Sequence, residues 1–196
     1  MTKLDSPMAL LLTIPPSAEP LTLADVKAHL RLAISDDDAY LTALITAARR
    51  TIEARYGLVL MPQAWALFAD NWPSDGVFHI PLWPVQSISS LTVFADDDTP
   101  ATIDAAHYYL DAATRPARVA LRQGRVFAPP GRTINGLKLS FSAGFGADAS
   151  FVPAEIKQGL MATVADWYQN RGDVSGGTLP ATAVEALSAY KNARLS

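Results

Sequence analysis

The spacing of the apolar residues changes twice along this chain, and those changes restrict the folds open to it. Leu41, Leu44, Ile45, Ala48, Ile52 and Tyr56 recur every three or four residues, which is the stripe of one α-helical face. From Leu60 the spacing shortens. Phe78, Ile80 and Leu82 alternate, and so do Leu137, Leu139 and Phe141, the two-residue repeat of strands with one buried face. After Pro153 the helical spacing returns in Ile156, Leu160, Val164, Trp167 and Tyr168. Helix, then a run of short strands, then helix again is the order of an α+β protein rather than a βαβ fold. The expected architecture is a helical core of two N-terminal helices and one C-terminal helix, with an inserted small antiparallel β-sandwich or sheet and a C-terminal helical arm.

Punctuation residues set the boundaries. Pro15, Pro16 and Pro20 exclude a helix from residues 1–20, because proline lacks the N–H that a helix needs. That stretch reads as an N-terminal arm. Its apolar run, Met8 to Ile14, reads as arm or strand. It is too short to span a bilayer, which takes about 20 residues, and it lacks a convincing cleavage site for a signal peptide. Residues 21–59 form the first part of the helical core, 60–150 the β insertion, 151–172 the second part of the core, and 173–196 a linker with a terminal helix. Thr22 and Asp25 have the spacing of a capping box. Ser35 with Asp36, Asp37 and Asp38 marks a second helix start, where carboxylates meet the positive end of the helix dipole. Arg49, Arg50, Glu53 and Arg55 mark that helix's solvent side, and Gly57 its C-cap. Pro153 is expected at the first helical position, Arg171 and Gly172 at that helix's end, and Thr182 with Glu185 as a third capping box. Asp96 to Thr99, before Pro100, reads as a hairpin turn.

The chemistry-bearing residues do not gather. The net charge is -3 and the pI about 5.5, and no basic run supplies a nucleic-acid footprint. Arg115, Arg118, Arg122 and Arg125 are scattered through strand and loop and read as solvated edges. With no cysteine, disulfides and thiolate metal sites are excluded. His29, His79 and His107 lie far apart, without a partner at metal-ligand spacing. The triplets Asp36–Asp38 and Asp96–Asp98 lack the alternation and glycine turn of a calcium loop. There is no Gly-x-Ser-x-Gly elbow and no Walker loop. Gly144-Phe145-Gly146 lacks the third glycine and the βαβ setting of a dinucleotide site. Arg171-Gly172-Asp173 spells an adhesion tripeptide, but its first two residues are accounted for by helix termination. No catalytic, cofactor or metal residue is expected, and the chain does not read as an enzyme. Amphipathic helices, a loose Gly- and Ser-bearing linker and arm-like ends favour assembly instead.

Several stretches, in order, carry a resemblance. Leu21-Thr22-Leu23-Ala24-Asp25-Val26-Lys27-Ala28-His29-Leu30-Arg31 opens it. The acidic cap and the helix through Ala47-Ala48-Arg49, Ile52-Glu53 and Gly57 follow. Next come Pro62-Gln63-Ala64-Trp65, Ile80-Pro81-Leu82-Trp83-Pro84-Val85 with Ile88 and Leu91, and Phe141-Ser142-Ala143-Gly144-Phe145-Gly146. Val152-Pro153-Ala154-Glu155-Ile156-Lys157-Gln158, Trp167-Tyr168-Gln169-Asn170-Arg171, and Leu179-Pro180 with Val184-Glu185-Ala186-Leu187 and Tyr190 close it. Together they resemble the head–tail connector (adaptor) proteins of long-tailed phages and gene transfer agents, in the longer branch with a β insertion. The chain departs from that pattern near its end. Ala181-Thr182-Ala183 replaces a stretch that usually holds glycine, and Ala189-Tyr190-Lys191 stands where the family has Pro-Tyr-Arg.

The resemblance implies a structural subunit of a ring, twelve-fold in expectation, that joins portal to tail in the neck of a particle. Its partners would be the portal, a tail-side stopper and further copies of itself. DNA would pass through without sequence-specific binding, and no membrane is involved. Assembly would take place in the cytoplasm of the producing bacterium. The C-terminal segment is implied to dock on the portal, with Leu187, Tyr190, Lys191, Arg194 and Leu195 as its contacts. The alternative for that segment is that it packs back on its own domain. Two other functions compete: a carbohydrate- or surface-binding module with Trp72 and Trp83 exposed on the β insertion, and a hydrolase with a dispersed site.

Overall fold

The computed structural model describes residues 8–122, 127–171 and 178–191. The chain divides into two compact units. One joins Met1–Pro15 to Pro62–Gly144, and the other joins Pro16–Met61 to Phe145–Ser196. The fold is α+β, as the changes of period require.

The second unit is helical. Helix α1 (Leu23–Leu30) begins at the expected capping box: the Thr22 hydroxyl accepts from the Asp25 N–H at 3.1 Å, and the Asp25 carboxylate accepts from the Thr22 N–H at 3.2 Å. Helix α2 (Asp38–Tyr56) buries Leu41, Ile45, Ala48, Ile52 and Tyr56, the stripe read from the sequence, and ends at Gly57 in the left-handed conformation. Helix α3 (Ala154–Gln169) buries Ile156, Leu160 and Val164. Pro153 is its N-cap rather than its first helical residue, and Asn170 rather than Arg171 is its C-cap. Helix α4 (Ala181–Ala186) is short and starts at Pro180. Thr182 therefore lies inside the helix, and the capping box expected from Thr182 and Glu185 does not form.

The solvent side of α2 also differs from expectation. The Arg49 side chain is only 7% exposed and donates to Glu19 and Glu53, each at 2.7 Å. Periodicity places Arg49 at the border of the apolar stripe, and the two carboxylates let its charge be buried there. One of them, Glu19, comes from the proline-rich stretch before α1.

The first unit holds two antiparallel sheets. Strands β1 (Met8–Ile14), β2 (Gln63–Ala69), β4 (Val85–Phe94), β5 (Pro100–Ile103) and β8 (Leu137–Ala143) form one, in the order β1-β2-β8-β4-β5. Strands β3 (Val77–Ile80), β6 (Tyr108–Asp111) and β7 (Ala117–Leu121) form the other, in the order β3-β7-β6. Leu67 and Leu91 flank Leu139 in register, and all three are buried. Alternation along β8 is complete: Leu137, Leu139, Phe141 and Ala143 are buried, while Lys138, Ser140 and Ser142 between them are half-buried. Asp96 to Thr99 is the expected turn between β4 and β5, where Asp97 Oδ1 accepts from the Thr99 N–H at 2.9 Å. The N-terminal stretch is more than an arm. Met8–Ile14 pairs antiparallel with β2 from Met8 opposite Ala69 onward and forms an edge of the larger sheet.

Candidate docking site at the C-terminal arm

The C-terminal arm is built on α3. Gly159 has no side chain, and a Cβ there would lie 3.2 Å from Leu187 Cγ and 3.6 Å from the Ala183 carbonyl oxygen. This bare spot lets α4 approach α3 closely. Ala183 and Leu187 are fully buried, and Leu179 nearly so. The Thr163 hydroxyl, also buried, donates back to the Gly159 carbonyl at 2.8 Å, so no polar group on this face of α3 opposes the contact.

Residues 172–177, between α3 and the arm, lie outside the described residues, but both flanks are tied. The Trp167 indole N–H donates to the Thr178 carbonyl at 3.2 Å. On the α3 side, Arg171 donates to both carboxylate oxygens of Asp37, at 3.1 and 2.6 Å. Tyr168 donates to the same carboxylate at 2.6 Å. The guanidinium carbon stands 4.7 Å from the centre of the Tyr40 ring and 4.2 Å from that of Tyr168, close enough for cation–π attraction. The Arg171 fork, then the Tyr168 phenol, hold the Asp37 carboxyl below its ordinary pKa. The acidic cap of α2 thus has a second task, which is to hold the end of α3.

Beyond Leu187 the chain makes a 3-10 turn, Ser188–Tyr190. The half-buried Tyr190 meets Phe145 edge-on at 6.4 Å between ring centres. Burial, and then the charge of Glu155, raise the Tyr190 phenol above its ordinary pKa. Lys191 is exposed. Of the residues expected to meet the portal, Leu187 is turned into its own unit, Tyr190 and Lys191 lie at the arm's surface, and Arg194 and Leu195 fall outside the described residues.

Nothing else in the described structure assembles a reactive centre. No group of three histidine or acidic residues is placed to hold a metal, and no helix is long and apolar enough to cross a membrane, among the described residues. A groove of about 630 Å³ beside α1 and α3 is lined by Asp25, His29, Ser150, Lys157 and Met161 among others. Asp25 there is engaged by Thr22, and Lys157 donates to the Ala149 carbonyl at 3.2 Å. Arg118 pairs with Asp111, and Arg122 lies over Tyr109. These arginines serve local contacts rather than a common basic surface, and Arg125 lies outside the described residues.

The tryptophan platform needs correction. Trp72 is half-buried: its indole N–H donates to the Ala128 carbonyl at 2.9 Å, and its ring packs on Phe78 and Phe127. Trp83 is half-buried, with the Arg115 guanidinium 5.2 Å from its ring centre. A sugar needs an open aromatic face, and these rings are engaged by the protein.

The sequence model of the phage gp6-like head–tail connector protein family matches residues 20–94. Over this stretch the chain is similar to that family. The matched stretch covers α1 and α2 and continues through β4, so it includes the start of the β insertion as well as the helical core. No curated protein sequence matches the chain. Solved structures do. A chain in the neck of an empty gene transfer agent (GTA) particle, computed with C6 symmetry, shares 23% identity over 96% of this chain and 97% of its own length, at a TM-score of 0.83. A chain of the native GTA virion shares 21% over 95% and 97%, at 0.80. A chain in the native GTA neck computed with C12 symmetry shares 20% over 97% of both, at 0.74. At these identities the likeness establishes a common fold along nearly the whole chain.

Proposed function

We propose that this chain is a head–tail connector, a structural subunit of an adaptor ring in the neck of a phage or gene-transfer-agent particle, and not an enzyme. The observation that carries the reading is the joint one: a connector family match over residues 20–94 and a fold shared end to end with chains of particle necks. A ring of copies requires two different faces on each subunit, which two units in one chain are suited to supply. On this reading the ring is twelve-fold, seats on the portal, receives a tail-side stopper, and passes DNA through an opening without reading its sequence. Assembly takes place in the cytoplasm of the producing bacterium.

The arm is proposed as the portal contact. Leu187 acts from within, fixing the base of the arm on Gly159. Tyr190, Lys191, Arg194 and Leu195 are the proposed contacts. The test is cryo-EM of the particle neck, together with capture of the full chain by its portal. Chains ending at Lys191, and a Tyr190→Ala chain, leave the Leu187 seat intact and so separate docking from folding. Portal capture by the full chain that drops with both changes supports the docking role. A full chain found in no neck and captured by no portal sinks the adaptor reading.

A further inference from the structure

The described strands leave four sheet edges in the β unit, and three of them are blunted. β3 carries His79 beside Asp75, β6 carries Asp111 paired to Arg118, and β5 opens with Pro100, which has no N–H to offer. Charge and proline at an edge are the usual devices against unwanted pairing. β1 has neither: Met-Ala-Leu-Leu-Leu-Thr-Ile is uncharged throughout and free of proline. Among the described residues only one side of it is paired, to β2. Of the nine large apolar residues exposed among those described, four lie in these seven positions: Met8, Leu11, Leu12 and Ile14, at 45, 56, 40 and 63% exposure. The others are spread along the chain. Leu11 and Leu12 project to opposite faces of the sheet, so the edge is apolar above and below as well as open along its backbone.

We infer that the open edge of β1 is a contact surface between neighbouring copies of this chain, each copy laying an extended segment along the β1 of the next. The inference rests on the ring reading above. Main-chain groups at a sheet edge select an extended backbone as partner. The absence of charge selects a neutral, apolar one. A ring supplies that partner at every position, because each copy meets the next through unlike faces. The edge lies in a different unit from the arm, so subunit–subunit contact and portal contact occupy different parts of the chain.

The chain has no cysteine, so a Leu11→Cys thiol reports alone. Its maleimide labelling is measured in the free chain and in purified particles. It is expected to slow by about tenfold or more in particles, following its loss of exposure. Amide exchange over residues 8–14 slows with it, and a photo-crosslinking side chain placed at position 11 links to a second copy of the chain. A Leu11→Lys, Ile14→Lys chain is expected to keep its melting temperature and to be lost from necks. Labelling at the free rate in particles that contain the chain, a link only to another neck protein, or normal neck incorporation of the double lysine variant each overturn the inference and leave the adaptor reading standing. A wild-type chain absent from the neck defeats both.

Discussion

Tyr168 and Asp37 stand 131 residues apart in sequence, yet the tyrosine phenol donates to the Asp37 carboxylate at 2.6 Å, beside the fork from Arg171. The contact ties the end of α3 to the start of α2. It also makes stability depend on pH with a definite sign. Arg171 first, and Tyr168 second, hold the Asp37 pKa below the ordinary 3.8. A depressed carboxylate contributes stability that is complete above its unfolded value and is lost as pH falls through its folded value. Urea midpoints of the wild type should therefore fall on acidification below about pH 4 more steeply than those of Asp37→Asn. Parallel pH curves for the two proteins would show that the cluster contributes nothing to the folded state.

The seat of the arm is a matter of volume. Leu187 is fully buried, and Leu187→Ala should cost about 2–5 kcal/mol, as buried leucine truncations do. Limited proteolysis in the region of residues 178–191 should accelerate in the same variant. Gly159→Leu tests the seat from the other side. Even a Cβ would stand 3.2 Å from Leu187 Cγ, so a leucine must displace α4. Arm protection unchanged in Gly159→Leu would mean that α4 is not held by this contact.

What the sequence could disclose follows the range of each interaction. The Thr22–Asp25 box spans three residues, and both its bonds are present. The stripe of α2 and the alternation of β8 are also local periodicities, and both are seen. The failures need a partner from far away. Asp37 reads as a dipole acid because Tyr168 and Arg171 are more than a hundred residues off. Arg49 reads as solvent-facing because Glu19 lies 30 residues earlier. Trp72 reads as exposed because Ala128, its acceptor, is 56 residues away. The third capping box fails for a nearer reason: Pro180, which fits a helix start, is the N-cap and places the helix two residues too early for Thr182 to cap it. In the arm, the spacing of Leu187 and Tyr190 is visible in the sequence, but the direction Leu187 faces is decided by Gly159, a residue with no pattern of its own.

Gly131 is a second position where a missing side chain is decisive. Its N–H donates to the Phe94 carbonyl at 2.9 Å. A Cβ would fall 2.2 Å from the Asp96 nitrogen and 2.6 Å from the Ala95 carbonyl carbon. Those are backbone atoms of the β4–β5 turn and cannot rotate aside. Gly131→Ala should cost about 1–3 kcal/mol, the range of overpacking. The effect should be local to the β unit, with faster amide exchange at residues 94–99. Gly76→Ala is an informative contrast, because Gly76 has open space around it and only its φ of 71° resists substitution. Strain there should appear without any disturbance of the β4–β5 turn.

The Glu19–Arg49–Glu53 cluster yields the sharpest stability test because its members differ in what they leave behind. Among the described residues Arg49 pairs with both carboxylates, and its side chain is more buried than either. Arg49→Met removes it and leaves both acids facing each other in a partly dry site. Loss of one partner from a buried ion network typically costs about 3–5 kcal/mol. The acids have other bonds: Thr46 donates to Glu19 at 2.9 Å, and the Leu60 N–H to Glu53 at 2.8 Å. Those bonds survive if the charges are removed but the amide oxygens remain. Arg49→Met combined with Glu19→Gln and Glu53→Gln should therefore recover much of the loss, because the repulsion is gone and the two acceptors still serve Thr46 and Leu60. Denaturant unfolding of the single and triple variants measures the difference. A triple variant no more stable than Arg49→Met would locate the cost in lost packing of the arginine stem rather than in stranded charge.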